Sequence, residues 1–136
     1  MKRRDARQAV FALIFDKDFN PDTTCREVLQ NAVECGHIEG YDDDPYISRV
    51  FCGVFDRLTE LDAEIDKASL RWDAQRISRV SRAILRLALY EIRFEEDIPT
   101  KIAVNEAIEL AKKFDDEKAF SFVNGVLGSL ASDFDD

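Results

Sequence analysis

Apolar residues recur along this chain at steps of three and four, the spacing that gathers side chains on one face of an α-helix. A first helix is predicted from about Arg4 to Asp16, with Ala6, Ala9, Val10 and Leu13 as its apolar stripe. Arg4, Arg7, Gln8, Phe11 and Phe15 share an adjacent strip. Asn20-Pro21-Asp22 turns the chain, and Thr24 with Glu27 has the spacing of a capping box. A second helix follows to near Gly36, burying Cys25, Val28, Leu29, Ala32 and Val33, and Tyr41 to Asp44 reads as an acidic loop. Asp44-Pro45 has the character of an N-cap and first helical residue. It opens a third, long helix whose seam of Ile47, Val50, Phe51, Val54, Leu58, Leu61 and Ile65 packs internally while Asp62, Glu64 and Asp66 face outward. After Trp72, Asp73 and a link through Arg76, a helix runs to about Phe94. Ile77, Val80, Ile84, Leu87 and Ala88, widened by Leu85, Leu89 and Ile92, give it enough apolar surface to be central.

The C-terminal part repeats the pattern. Pro99 suits a first helical turn, and from Thr100 the residues Ile102, Ala103, Ala107, Leu110, Ala111 and Phe114 form one stripe, with Glu109 and Lys113 as an i,i+4 ion pair. The acidic turn Asp115-Asp116-Glu117 ends that helix. A last helix buries Phe120, Val123, Leu127 and Leu130, and the tail from Ser132 is expected to fray. Gly125 and Gly128 each weaken a helix by roughly 1 kcal/mol relative to alanine, which implies that another backbone or a ligand comes close there.

Composition narrows the class. With 136 residues, 46% hydrophobic, 35% charged, 5 Gly and 3 Pro, the chain fits one helical domain, residues 1–136, with a real core. No apolar run approaches the roughly 18 residues that span a bilayer, and the N-terminus lacks a signal-peptide core, so a cytoplasmic protein is expected. Cys25, Cys35 and Cys52 lack metal-site spacing and read as buried thiols in a reducing compartment. The net charge of −9 argues against indiscriminate binding to nucleic acid. Its distribution points elsewhere: Lys2, Arg3, Arg4 and Arg7 against Asp5 make the first ten residues net +3 and leave −12 for the rest.

A basic end on an acidic body suits local contact with phosphates. On the first helix, guanidinium groups alternate with Phe11 and Phe15, a mixture that can pair with phosphates and stack on unpaired bases; the same rings could equally be core. Arg79, Arg82, Arg86 and Arg93 line another face, to meet RNA, an acidic partner or this chain's own carboxylates. For Arg86 an internal pair with Glu91 or Glu106 is expected. His37 lies past a helix end with no catalytic partner implied, and no phosphate loop, dinucleotide fingerprint, paired-His motif or nucleophile elbow occurs. An enzyme is not expected.

Pro99, Val104-Asn105-Glu106-Ala107 with Glu109-Leu110-Ala111-Lys112, and Phe122-Val123-Asn124-Gly125-Val126-Leu127 together resemble the signature of the NusB transcription antitermination factors. The likeness extends through Ile84 to Glu91, to Trp72 with Arg76, and more weakly to Arg3, Arg4, Ala6 and Arg7, covering nearly the whole chain. It implies an all-α, compact bundle of two small helical subdomains sharing central helices. It also implies a factor that binds boxA RNA of leader and ribosomal RNA transcripts as a heterodimer with NusE, a small-subunit ribosomal protein. Other Nus factors and RNA polymerase complete the assembly, and no cofactor or membrane is involved. Self-association of the free protein as a homodimer is left open.

Carried over by position, the resemblance assigns RNA contact to Arg3, Arg4, Arg7, Phe15 and Phe122, with a second core ring beside Phe120 as the alternative for Phe122, and it sets Ser81 near the NusE-facing surface; for neighbouring Arg79 and Arg82, partner contact and plain solvation stand equally open. Asp5, the missing hydroxyl of Phe15 and Ser121 (often Lys in relatives) depart from the pattern in the direction of weaker RNA attraction, and Ser81 stands where relatives often carry an acid. The alternative is a helical adaptor whose RNA binding is weak or lost. NusB-like domains also occur fused to ribosomal RNA cytosine methyltransferases, but no second domain is seen here to hold a methyl donor.

Overall fold

The computed structural model describes residues 2–35, 44–70 and 77–131. The expectations for Gly36, His37, residues 41–43, Trp72, Asp73, Arg76 and the tail lie outside them. Seven α-helices are described: α1 (Arg3–Asp18), α2 (Cys25–Glu34), α3 (Pro45–Asp56), α4 (Leu58–Ser69), α5 (Arg79–Phe94), α6 (Thr100–Phe114) and α7 (Glu117–Ala131). None is long and apolar enough to cross a membrane.

Local chemistry sets the ends. Thr24 Oγ1 accepts from the Glu27 amide at 3.2 Å, and the Asp44 carboxylate accepts from the Tyr46 amide at 3.0 Å with Pro45 behind it, so α2 and α3 begin at the predicted caps. Ser78 caps α5 by accepting from the Ser81 amide. At the acidic turn Asp116 accepts from the Ala119 amide at 2.8 Å, which lets α7 start three residues after α6 stops.

The expected single helix from Pro45 to beyond Ile65 is two. The ladder breaks at Arg57 (φ −120°, ψ 20°), whose amide is shared between the carbonyls of Gly53 and Val54. Its guanidinium lies 4.1 Å from the centre of the Phe94 ring. Ile47, Val50, Phe51, Val54, Leu61 and Ile65 stay buried on both sides of the break, so periodicity could not reveal it. Gly53 is where close approach occurs: a Cβ there would stand 2.7 Å from Tyr90 Cε2. At Gly128 a Cβ would meet nothing within 4 Å, which overturns the expectation of a close neighbour there.

Helix α5 is the hub. It is buried without interruption from Ala83 to Glu91 and packs against α1, α3, α4, α6 and α7. On one side α1, α2 and α3 contact one another; on the other α6 and α7 pair, with α4 against α7. This is the two-part helical bundle that the resemblance implies. Ala103, Ala107, Leu110 and Ala111 form the buried stripe of α6, whose small side chains let it lie close to α5. Ile102 and Phe114, expected inside, are 45% and 40% exposed.

The cysteine expectation is also corrected. Cys25 and Cys52 are joined by a disulfide between the start of α2 and α3, with Cα atoms 5.5 Å apart, and Cys35 is exposed. Spacing in the chain carries no information about such a pairing when the residues meet across two helices.

Candidate nucleic-acid interface

A file of alternating charges runs outward from the core beside α1. Glu91, its side chain 1% exposed, accepts from Arg7 Nε at 2.8 Å and Nη2 at 2.9 Å. Arg7 is 4% exposed, and its Nη1 lies 3.6 Å from Glu106. Glu106, 16% exposed, in turn accepts from Arg4 Nε and Nη2 at 3.2–3.3 Å, and Arg4 is 73% exposed. Burial alone would pull the Arg7 pKa down, but the bond and charge of Glu91 outweigh it and hold the pKa above its ordinary value. Arg7 is therefore a buried, permanently charged strut.

That placement leaves Arg7 little surface to offer a phosphate, the contact that the first helix and the resemblance suggested for it. Arg4 keeps the exposure such contact requires. Arg3 is exposed as well, and its guanidinium sits 4.1 Å from the centre of the Tyr46 ring. Tyr46 is buried. Its hydroxyl feels the charge of Glu91 yet makes no hydrogen bond of acceptable geometry among the described residues, and burial first, then Glu91, raises its pKa.

Arg4, Arg7, Gln8, Glu106, Glu109, Leu110, Lys112 and Lys113 line an open groove of about 330 Å³ between α1 and α6. Lys113 donates to the Gln8 amide oxygen at 2.9 Å and Lys112 lies 3.7 Å from Glu109. The expected Glu109–Lys113 pair is thus replaced by Glu109–Lys112. The sequence did not mark Lys112 and Lys113 as groove-lining residues, because a lysine pair near a helix C-terminus also reads as ordinary dipole complement. Only the packing of α6 beside α1 adds them to Arg4.

From the groove a row of rings follows α1. Phe114 to Phe11, Phe11 to Phe15 and Phe15 to Phe19 have centroids 5.0, 6.5 and 5.1 Å apart. Phe11 is buried, Phe15 half-buried and Phe19 54% exposed. Phe15 thus offers part of a ring while anchoring the row. Phe122 is half-buried against the core on α7, so the ring is neither sealed nor fully presented.

The arginine row on α5 is neutralised within the chain. Arg79 pairs with Asp18 at 3.1 Å and Arg82 with Asp66 and Asp62 at 2.8 and 3.4 Å. Arg93 pairs with Glu60 and Glu64. Arg86 pairs with Asp62 and Asp18, not with the expected Glu91 or Glu106; burial would lower its pKa, and those two carboxylates raise it. Asp62 and Glu64 are accordingly half-buried against α5, whereas Asp66 pairs with Arg82 while staying exposed, as expected. Ser81 is 1% exposed and donates to Asp115 at 2.7 Å, so its hydroxyl is directed inward, while Arg79 is exposed and lies 4.6 Å from the Phe19 ring centre.

The architecture is that of a small all-helical protein with a cationic groove at one end of a central-helix bundle. A protein-family model described as the NusB family matches residues 4–132. Transcription antitermination protein NusB of Bacillus subtilis is 42% identical over 135 residues, covering 99% of this chain and 98% of that protein. The Clostridium acetobutylicum protein of the same name is 39% identical over 130 residues, covering 96% and 95%. Among solved structures, T. maritima NusB superposes with a TM-score of 0.83 at 34% identity, over 97% of this chain and 92% of that one. A chain from a crystal structure of antitermination factors NusB and NusE in complex with dsRNA gives 0.82 at 27% identity, over 97% of both. The chain belongs to the NusB family.

Proposed function

We propose that this protein is a transcription antitermination factor that binds boxA RNA of ribosomal and leader transcripts together with NusE. The complex then joins other Nus factors on RNA polymerase. The observation that carries the reading is the α1–α6 groove, where Arg4, Lys112 and Lys113 stand at the surface beside a partly open row of rings. Cations there take phosphates, and Phe15 and Phe122 offer ring faces to unpaired bases. Arg7 acts from behind by holding Glu106, and Arg3 extends the positive end. The exposed Arg79 with Phe19 is the favoured contact for NusE, Arg82 lies beside it, and Ser81 contributes by fixing Asp115. The whole chain works as one RNA-binding domain in the cytoplasm, without a catalytic step.

A salt-dependent titration of boxA-type RNA, with and without NusE, tests this. Weak binding alone and tighter binding with NusE are expected. Arg4→Ala should weaken binding and reduce the slope of log K against log salt by about 0.7, the value for one phosphate contact on a single strand. Phe122→Ala should weaken binding without changing the slope. Equal binding of scrambled RNA, or indifference to both substitutions, would favour a helical adaptor instead.

A further inference from the structure

We infer that Glu106 is a positioning residue that makes the groove selective, by clamping Arg4 so that it rewards only a strand lying in one register. The inference rests on the RNA-binding reading above and concerns what that reading leaves unexplained: a carboxylate in the middle of a phosphate site.

Glu106 engages Nε and Nη2 of Arg4 through both of its oxygens, leaving Arg4 Nη1 without a partner among the described residues. A forked guanidinium held along one edge offers donors in one direction only. The clamp is not itself loose. Glu106 is backed by Arg7 Nη1, and Arg7 is locked to buried Glu91 by two short bonds. The orientation of an exposed side chain is thereby set from the core, and preorganisation of this kind lowers the entropy lost on binding in the favoured pose. A phosphate arriving in register meets the open edge of Arg4. One arriving elsewhere must displace Glu106 or forgo the contact, and it also faces the carboxylate's charge. With Glu106 removed, Arg4 could follow any phosphate within its reach, which strengthens indiscriminate binding most.

Glu109 provides the control. It lines the same groove and carries the same charge, but it is 57% exposed and pairs with Lys112 instead of Arg4. Binding of boxA-type RNA and of a scrambled RNA of equal composition would be measured by fluorescence anisotropy for the full chain, Glu106→Gln, Glu109→Gln and Arg4→Lys. Glu106→Gln should tighten scrambled RNA about fivefold, the size expected from deleting one charge within a Debye length of a phosphate, and boxA-type RNA less than about twofold. Glu109→Gln should tighten both RNAs alike. Arg4→Lys conserves charge at an exposed position, so it keeps the fold while losing the fork, and it should lower the preference for boxA-type RNA as well. Equal tightening of both RNAs by Glu106→Gln would reduce Glu106 to bulk charge, and unchanged preference in Arg4→Lys would exclude the clamp. Should the unaltered chain fail to distinguish the two RNAs with NusE present, the RNA-binding reading itself falls, a separate outcome.

Discussion

Replacing Arg7 by methionine separates two roles that one arginine of the first helix could have. Its guanidinium and the Glu91 carboxylate are nearly withdrawn from water and joined by bonds of 2.8 and 2.9 Å. Removal of one member of such a pair leaves the other charge buried and unpaired, at a cost of about 3–5 kcal/mol. Against a total stability of about 5–15 kcal/mol, that is a large loss. At the unfolding entropy usual for a chain of this length, it lowers Tm by roughly 10–18 °C. Urea unfolding followed by circular dichroism measures the difference, and adding Glu91→Leu to Arg7→Met should restore much of it, since neither charge is then stranded. RNA titrations at a temperature where the variant stays folded should show a salt slope unchanged from the parent. A loss under about 1 kcal/mol, or a slope reduced by about 0.7 as for a lost phosphate contact, would refute the strut and return Arg7 to the RNA surface.

Two further outcomes follow from the core. Tyr46→Phe removes a buried hydroxyl that lacks a hydrogen bond among the described residues, so at pH 7 stability should change by less than about 1 kcal/mol or rise. The folded Tyr46 pKa is raised, so the unfolded chain loses this proton first as pH climbs past about 10; stability falls there, and Tyr46→Phe should flatten that fall in urea titrations. A loss above about 2 kcal/mol at pH 7 would show that the hydroxyl is bonded. The Cys25–Cys52 link closes a segment with a sequence separation of 27, and loop-closure entropy assigns it about 3.5 kcal/mol at most. Melting with reductant should therefore fall by several degrees, and an unreduced, unfolded sample should show one reactive thiol per chain, Cys35; three would refute the link.

Helix existence was legible wherever caps and periodicity agreed, as at Thr24, Asp44 and the turn between α6 and α7. The break at Arg57 was not, because neither Gly nor Pro stands there and the buried seam continues across it. A hydrophobic pattern specifies which face is inward but not which helix it meets. That is why Arg86 was matched to Glu91 or Glu106, while Asp18 from α1 and Asp62 from α4 are the carboxylates that α5 turns toward it. Arg7 illustrates the same gap in its exposure. An arginine on the strip beside the apolar stripe reads as exposed until the rotation of α1 against α5 is known, and here that rotation brings it onto Glu91. Cys25 and Cys52 meet only because α2 lies back on α3. The exposure of Arg4 was legible because it precedes the packed part of α1.

The anionic total and a cationic site are compatible because the charges are sorted by helix face. Arg79, Arg82, Arg86 and Arg93 each meet carboxylates of α1 or α4, so a row that looked available to RNA adds little positive potential to its surroundings. At the α1–α6 groove the balance runs the other way. Arg7 is cancelled by Glu91 behind it, and among the described residues that line the groove Arg4, Lys112 and Lys113 stand against Glu106 and Glu109. Charges farther than about 8 Å are largely screened at physiological ionic strength, so an approaching phosphate responds chiefly to those five groups rather than to the net −9. The local surplus is one positive charge. On the proposed reading, a surplus that small would attract RNA weakly and leave discrimination to geometry, so the fixing of Arg4 would matter more to this site than the number of its cations.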